Sequence, residues 1–76
     1  MSDELSFGQR AVGVTFNPSG DDMVRVLKSL YAQIIDLCDG ARSGSQSAEQ
    51  ARLYSIAITQ AQQAQMWSVK AATWKD

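Results

Sequence analysis

Hydrophobic residues recur at helical spacing along two long stretches of the chain, with a short polar segment between them. In the first stretch, one apolar stripe steps by three and four residues (Met23, Leu27, Leu30, Ile34 and Leu37), and a second stripe lies beside it (Val24, Tyr31, Ile35 and Cys38). This spacing is typical of an amphipathic helix and predicts helix over residues 21–39. Because one partner helix requires only one stripe, the surplus stripe predicts self-association. The alternative is a single wide stripe that covers one bulky partner helix.

The second stretch predicts a longer helix over residues 48–73. Its nearly regular apolar row has alanines in the middle and aromatic rings at the end (Leu53, Ala57, Ala61, Ala64, Trp67, Ala71 and Trp74). Such a row suits close packing against another helix, so we expect Trp67 to be buried between helices. The end of this helix should extend past the first helix, where the N-terminal arm or another subunit would cover the tryptophans. The glutamines of residues 60–65 are predicted to form a solvated face.

Residues 1–18 show no sustained period and predict an arm with at most one short helical turn. Pro18 fixes its own φ and biases Asn17 toward an extended conformation, which marks a boundary before the first helix. Ser19 is predicted to be the N-cap of that helix.

A polar loop over residues 40–46 separates the two helices. Gly40 is predicted to end the first helix, and Ser47 or Ser45 to cap the second. A loop this short makes the helices antiparallel neighbours. The predicted fold is therefore all-α: one domain over residues 1–76, an antiparallel two-helix hairpin with an N-terminal arm, assembled into a helical homo-oligomer.

The composition indicates a small protein that gains stability from oligomerisation and not from disulfides or metals. The chain has 76 residues, of which 45% are hydrophobic, and a formal net charge of -1. A domain of this size buries a limited core and gains stability from disulfides, metals or oligomerisation. Cys38 is the single cysteine and there is no histidine, so we expect neither an intrachain disulfide nor a metal site.

Several function classes lack the residues that they require. A serine or cysteine nucleophile has no histidine to serve as its base, and no glycine-rich nucleotide fingerprint is present. Asp36 and Asp39 are three residues apart and could form a carboxylate pair, but ordinary surface charges near a helix end are the usual case. We therefore expect no enzyme and no cofactor. The near-neutral charge argues against long nucleic acid, and no apolar run reaches the roughly 18 residues of a membrane span.

The best candidate for a ligand site lies where the arm meets the first helix (Phe16, Asn17, Pro18, Ser19, Arg25 and Lys28). A helix N-terminus offers amide donors and a favourable dipole to phosphate, and an aromatic ring can stack on a nucleobase. The residues taken alone favour a plainer interpretation. In that interpretation Phe16 fills the core, Ser19 only caps the helix, and Arg25 and Lys28 are solvated.

The chain nevertheless resembles a known family. The segments GVTFNPSG at residues 13–20 and AQMWSVKAATW at residues 64–74, with Val24, Val26, Lys28 and Ile35-Asp36 between them, are similar to the small phage hairpin domain of anti-CBASS protein 2 and Thoeris anti-defence 1. The resemblance covers residues 13–74.

The resemblance implies a sponge that binds cyclic nucleotide signals of bacterial defence and withholds them from effectors in the cytoplasm of the infected host. It implies a helical oligomer, commonly a hexamer, with pockets at subunit contacts for cyclic dinucleotides, cyclic trinucleotides or cyclic ADP-ribose isomers. Phe16 would stack on a base, and Lys28 would meet a phosphate. Leu27, Tyr31 and Ile34, with the two tryptophans, would support the oligomer. The alternative is a structural or regulatory helical hairpin that binds a protein partner.

Overall fold

The computed structural model describes residues 4–76, and this part of the chain is helical without strands. Its helices are α1 (Phe7–Val12), α2 (Asp22–Ser43) and α3 (Ala48–Ala72). Tyr31 pairs with Ser68 through their hydroxyls at 3.3 Å, and Arg42 donates to the Ser55 hydroxyl at 3.1 Å. Because early α2 meets late α3 and late α2 meets early α3, the two helices form the predicted antiparallel hairpin. Among these residues, no helix is long and apolar enough to cross a membrane.

The start of α2 differs from the prediction. Asp21, not Ser19, is the N-cap, and its carboxylate accepts a hydrogen bond from the backbone N–H of Met23 at 2.7 Å. The reason is Gly20, whose φ of 66° is left-handed, so that helical geometry begins only after it. Ser19 instead accepts a hydrogen bond from the backbone N–H of Asp21 at 3.3 Å.

The end of α2 also differs from the prediction, because the helix continues through Gly40 to Ser43. Gly44 is the C-cap, and its N–H donates to the Gly40 carbonyl at 3.2 Å. Arg42 supports this added turn by pairing with Asp39 at 2.6 Å. By contrast, α3 begins at the predicted residue and ends at Ala72, one residue before the predicted end. Ser47 is its N-cap, and the Ser47 hydroxyl accepts a hydrogen bond from the backbone N–H of Gln50 at 3.2 Å.

The arm forms a third helix that packs back on the hairpin. Ser6 and Gln9 form a capping box at the start of α1, and Gly13 ends the helix with a left-handed φ of 65°. Gly8 is buried against α2, and its backbone N–H donates to the Asp36 carboxylate at 2.7 Å. A Cβ at residue 8 would overlap the carbonyl oxygen of Ala32, so this close approach requires glycine.

The core is small and lies where the three helices meet. Its buried cluster consists of Val12, Ala32, Ile35 and Ile58. The second stripe of α2, which includes Ile35, therefore faces the core. The first stripe is the surplus one, and apart from the half-buried Leu27 it stays exposed, as in Leu37 at 75% and Leu30 at 52%.

The packing prediction for α3 is wrong within one chain. Trp67 is 69% exposed and Trp74 is 63% exposed, and the arm does not cover them. The buried residues of α3 are instead Ile58 and Gln65, so Gln65 does not belong to a solvated face. Within the alanine–tryptophan row, Ala61 packs against the core cluster, whereas the large side chains Leu53, Trp67 and Trp74 stay exposed. Burial follows the face of α3 that meets α1 and α2.

Candidate functional site

A groove of about 300 Å³ lies between the segment before α2 and the last turn of α3. Its lining residues are Phe16, Asn17, Pro18, Ser19, Val24, Lys28, Val69 and Thr73. Five of the six residues that the sequence nominated for ligand binding therefore line one groove. The sixth, Arg25, lies outside it on the exposed side of α2, where it pairs with Asp22 at 3.6 Å.

Lys28 organises the floor of this groove. It is only 5% exposed, and its ammonium donates hydrogen bonds to the carbonyls of Gly13 (3.0 Å) and Phe16. The same nitrogen lies 5.3 Å from the centre of the Phe16 ring, within cation–π distance. The interpretation of Lys28 as a solvated charge is therefore wrong, because its side chain holds the turn at residues 13–16.

Phe16 does not fill the core. Its side chain is 69% exposed, although its backbone carbonyl is fixed by Lys28. The turn places the ring at the rim of the groove with most of its surface uncovered. A planar group entering the groove can therefore stack on this ring.

The charge of Lys28 has no carboxylate partner among residues 4–76, where the ion pairs are Arg25–Asp22, Arg42–Asp39 and Arg52–Glu49. Within the described part of the chain, the buried ammonium is compensated by the carbonyl dipoles of Gly13 and Phe16 and by the Phe16 ring. Val24 and Val69 make the surrounding walls apolar. Because electrostatic attraction is stronger where water is excluded, an anion that reaches this floor is favoured.

The N-terminus of α2 is less suited to an anion than the sequence predicted. Asp21 places its own carboxylate on the first amides of the helix, and Asp22 follows in the first turn. These carboxylates already occupy the positive end of the helix dipole. The positive group that faces the groove is instead the Lys28 ammonium.

Hydrogen bonds fix the segment that forms one wall. The Asn17 side-chain amide donates to the Asp21 carbonyl at 3.1 Å, and the Ser19 hydroxyl donates to the Asn17 side-chain oxygen at 3.2 Å. With Pro18 between them, these residues form a rigid turn. The wall is therefore formed before any ligand arrives.

Val24, Val69 and Thr73 are groove residues that the sequence reasoning missed. In the sequence, Val69 and Thr73 belong only to the segment at residues 64–74 that carries the family resemblance. The antiparallel hairpin provides the missing signal, because it places the last turn of α3 beside the first turns of α2. Thr73 donates its hydroxyl proton to the Val69 carbonyl at 2.9 Å.

The residues predicted to support an oligomer divide into two groups. Leu27 and Tyr31 are half-buried within the chain. Ile34 is 48% exposed, and both tryptophans are largely exposed. The structure thus leaves Ile34 and the tryptophans available to another surface.

An ion pair with a shifted pKa lies far from the groove. The Arg52 guanidinium donates to both carboxylate oxygens of Glu49, at 2.9 and 2.6 Å, and this lowers the pKa of Glu49. Both residues are exposed at the start of α3, whereas the groove is at its end. Within residues 4–76 no group of three or more His, Cys, Asp or Glu side chains is arranged to hold a metal ion.

A comparison with protein families gives one match. The family model described as Acb2/Tad1, hairpin domain, matches residues 9–73. This match confirms the resemblance that the sequence segments indicated and extends it into α1. No curated protein and no solved structure matches the chain.

Proposed function

Because the chain belongs to the Acb2/Tad1 hairpin-domain family, we propose that it is a phage anti-defence sponge. It binds cyclic oligonucleotide second messengers and withholds them from their effectors without cleaving them, which blocks CBASS-type signalling. Its place of action is the cytoplasm of the infected bacterial host. Cyclic dinucleotides are the main candidate ligands, and cyclic trinucleotides and cyclic ADP-ribose isomers are the alternative ligand classes.

The observation that carries this proposal is the composition of the groove. Lys28 supplies a buried positive charge without a carboxylate partner among residues 4–76, and Phe16 supplies an exposed ring beside it. A cyclic nucleotide combines an anionic phosphate with a flat, stackable base. One phosphate near Lys28 and one base on Phe16 would use both features.

The proposal includes a homo-oligomer, with a hexamer as the expected form. The groove is partly open to solvent, and a cyclic dinucleotide carries two phosphates and two bases. A neighbouring subunit would complete the pocket, and a two-fold contact would match the symmetry of a cyclic dinucleotide. The exposed apolar residues of α2 and α3 supply surface for such contacts.

Calorimetry with a panel of cyclic dinucleotides, cyclic trinucleotides and cyclic ADP-ribose isomers tests the proposal. We expect one ligand class to bind and to be recovered intact by chromatography, since a sponge is not an enzyme. Absence of binding across the panel, or conversion of the bound ligand, would overturn the proposal.

Phe16→Ala locates the ligand in the groove. Loss of the stacking ring should weaken binding by about 1–3 kcal/mol. Arg25→Ala is the matched control, because Arg25 lies one helical turn before Lys28 on α2 but outside the groove. The affinity of this variant for the ligand should equal that of the wild-type protein. Lys28→Ala is a poorer probe than Phe16→Ala, because the substitution also releases the turn that Lys28 holds. Equal affinity of Phe16→Ala and the wild-type protein would place the ligand elsewhere.

A second candidate function rests on the exposed apolar residues, such as Leu37 at 75% exposure. They also suit a structural or regulatory hairpin that binds a protein partner. A monomer that binds no cyclic nucleotide and forms a stoichiometric complex with a host or phage protein would favour this function over the sponge.

A further inference from the structure

Thr73, the C-cap residue of α3, is a polar side chain in the lining of the groove. It follows the last helical residue, and its backbone N–H donates to the Val69 carbonyl at 3.0 Å. Its hydroxyl donates to the same carbonyl at 2.9 Å, with the Lys70 carbonyl as a second acceptor at 3.4 Å. The single hydroxyl proton is thus committed to the end of the helix.

A hydroxyl has one proton and two acceptor lone pairs. Since the proton of Thr73 is already donated, what Thr73 offers to a bound molecule is an acceptor. Lys28 is the opposite case, because an ammonium has three donors and no acceptor. The groove therefore presents a donor on its floor and an acceptor on its α3 wall.

We propose that Thr73 is a specificity-determining residue that accepts a hydrogen bond from the exocyclic amine of a nucleobase. This inference rests on the proposed binding of cyclic nucleotides. A ligand that matches both groups carries an anion for the Lys28 donor and an N–H donor for the Thr73 acceptor. An amino-substituted base joined to a phosphate meets both demands, and a base without the amine meets only the first.

Thr73→Val tests this inference with little change in shape, because valine replaces the hydroxyl by a methyl group. The substitution leaves the Val69 carbonyl with its backbone donor from residue 73, so the end of the helix keeps a hydrogen bond. Thr73→Ser is the matched control, since serine retains the hydroxyl. Circular dichroism checks that both variants fold.

The ligands are two matched pairs: cyclic di-AMP with its analogue lacking the 6-amino groups, and cyclic di-GMP with cyclic di-IMP. In the wild-type protein, we expect the amine to improve affinity by about 3- to 10-fold in the pair that binds, the effect of one hydrogen bond. Thr73→Val should bind the two members of that pair equally, and Thr73→Ser should restore the preference.

Each other outcome contradicts the inference in a distinguishable way. If the wild-type protein binds both members of each pair equally, or if Thr73→Val weakens both members by the same factor, the base does not donate to Thr73, while the sponge function stands. If the wild-type protein binds no cyclic nucleotide at all, the proposed function fails, and this inference fails with it.

Discussion

Lys28 shows how one residue can combine a structural and a binding role. Its ammonium is buried and donates to the carbonyls of Gly13 and Phe16. A buried charge is tolerated only when it is hydrogen-bonded, and these carbonyls supply the bonds. The sequence gives no sign of this, because the partners are backbone atoms 12 and 15 residues away.

Lys28→Met should therefore destabilise the fold even without ligand. Methionine retains much of the length of lysine but leaves the two carbonyls without their donor, at a cost of about 1–3 kcal/mol. Urea unfolding followed by circular dichroism measures the loss. Arg25→Ala is the control, and its effect should stay within about 0.5 kcal/mol because Arg25 forms only an exposed ion pair. Equal stability of the two variants would show that the carbonyls do not depend on Lys28.

At the scale of the elements, α1 depends on close backbone contact with α2. Gly8 lies against Ala32 and donates to Asp36, and there is no room for a side chain at residue 8. A helix of only six residues is not stable by itself, so this docking is what keeps α1 helical.

Gly8→Ala should displace α1 and lower the free energy of unfolding by about 1–3 kcal/mol, the usual effect of overpacking. Gly40→Ala is a matched control in α2, where nothing lies within 4 Å of an added Cβ. That substitution should stabilise the chain by about 0.5–1 kcal/mol, because alanine favours helix over glycine. Hydrogen exchange should show faster exchange of the α1 amides in Gly8→Ala alone. Slow exchange there would mean that α1 docks by other contacts.

Periodicity predicted α2 and α3 well, because spacing and capping are local properties. It could not decide which apolar row faces the core. On α3, the row with the tryptophans has the larger hydrophobic surface, yet Gln65 is buried and Trp67 is exposed. Burial in a single chain depends on where the partner helices lie. An apolar row that stays exposed has the same helical spacing as a row that faces the core, so spacing alone does not distinguish them.

The candidate site was predictable only where its residues are adjacent in the sequence. Phe16 to Ser19 are adjacent in the sequence and punctuated by Pro18, so their grouping was visible. Val69 and Thr73 join them only through the antiparallel hairpin. The burial of Lys28 depends on the path of the arm, which the sequence did not reveal because α1 is short and aperiodic.

On the scale of the whole molecule, the described chain is a thin slab with extents of 46 × 36 × 12 Å. Few side chains can be enclosed in a single layer of helices, and the buried apolar cluster of the core has four members. Much apolar surface therefore remains outside, including Leu37 and Trp67. This distribution favours an assembly in which other copies cover the slab.

We expect light scattering at micromolar concentration to give a mass well above that of two chains.

The double variant Leu37→Gln, Trp67→Gln should shift the mass toward the monomer with little loss of helix, since both side chains are exposed within one chain. Gln33→Ala, an exposed polar position on α2, should leave the mass unchanged. A monomeric wild-type protein would contradict the assembly. Trp67→Ala should cost about 3–5 kcal/mol only if the ring is covered in the assembly, because the ring is exposed within one chain.

The burial of Lys28 also has a consequence for its reactivity. The chain has three lysines, and Lys70 and Lys75 are exposed whereas Lys28 is buried. An amine-directed acetylating reagent should modify Lys70 and Lys75 rapidly and reach Lys28 only when the turn opens. The rate of acetylation at Lys28, read by mass spectrometry, therefore reports how often the turn opens in the native protein, and a ligand seated in the groove should slow that reaction.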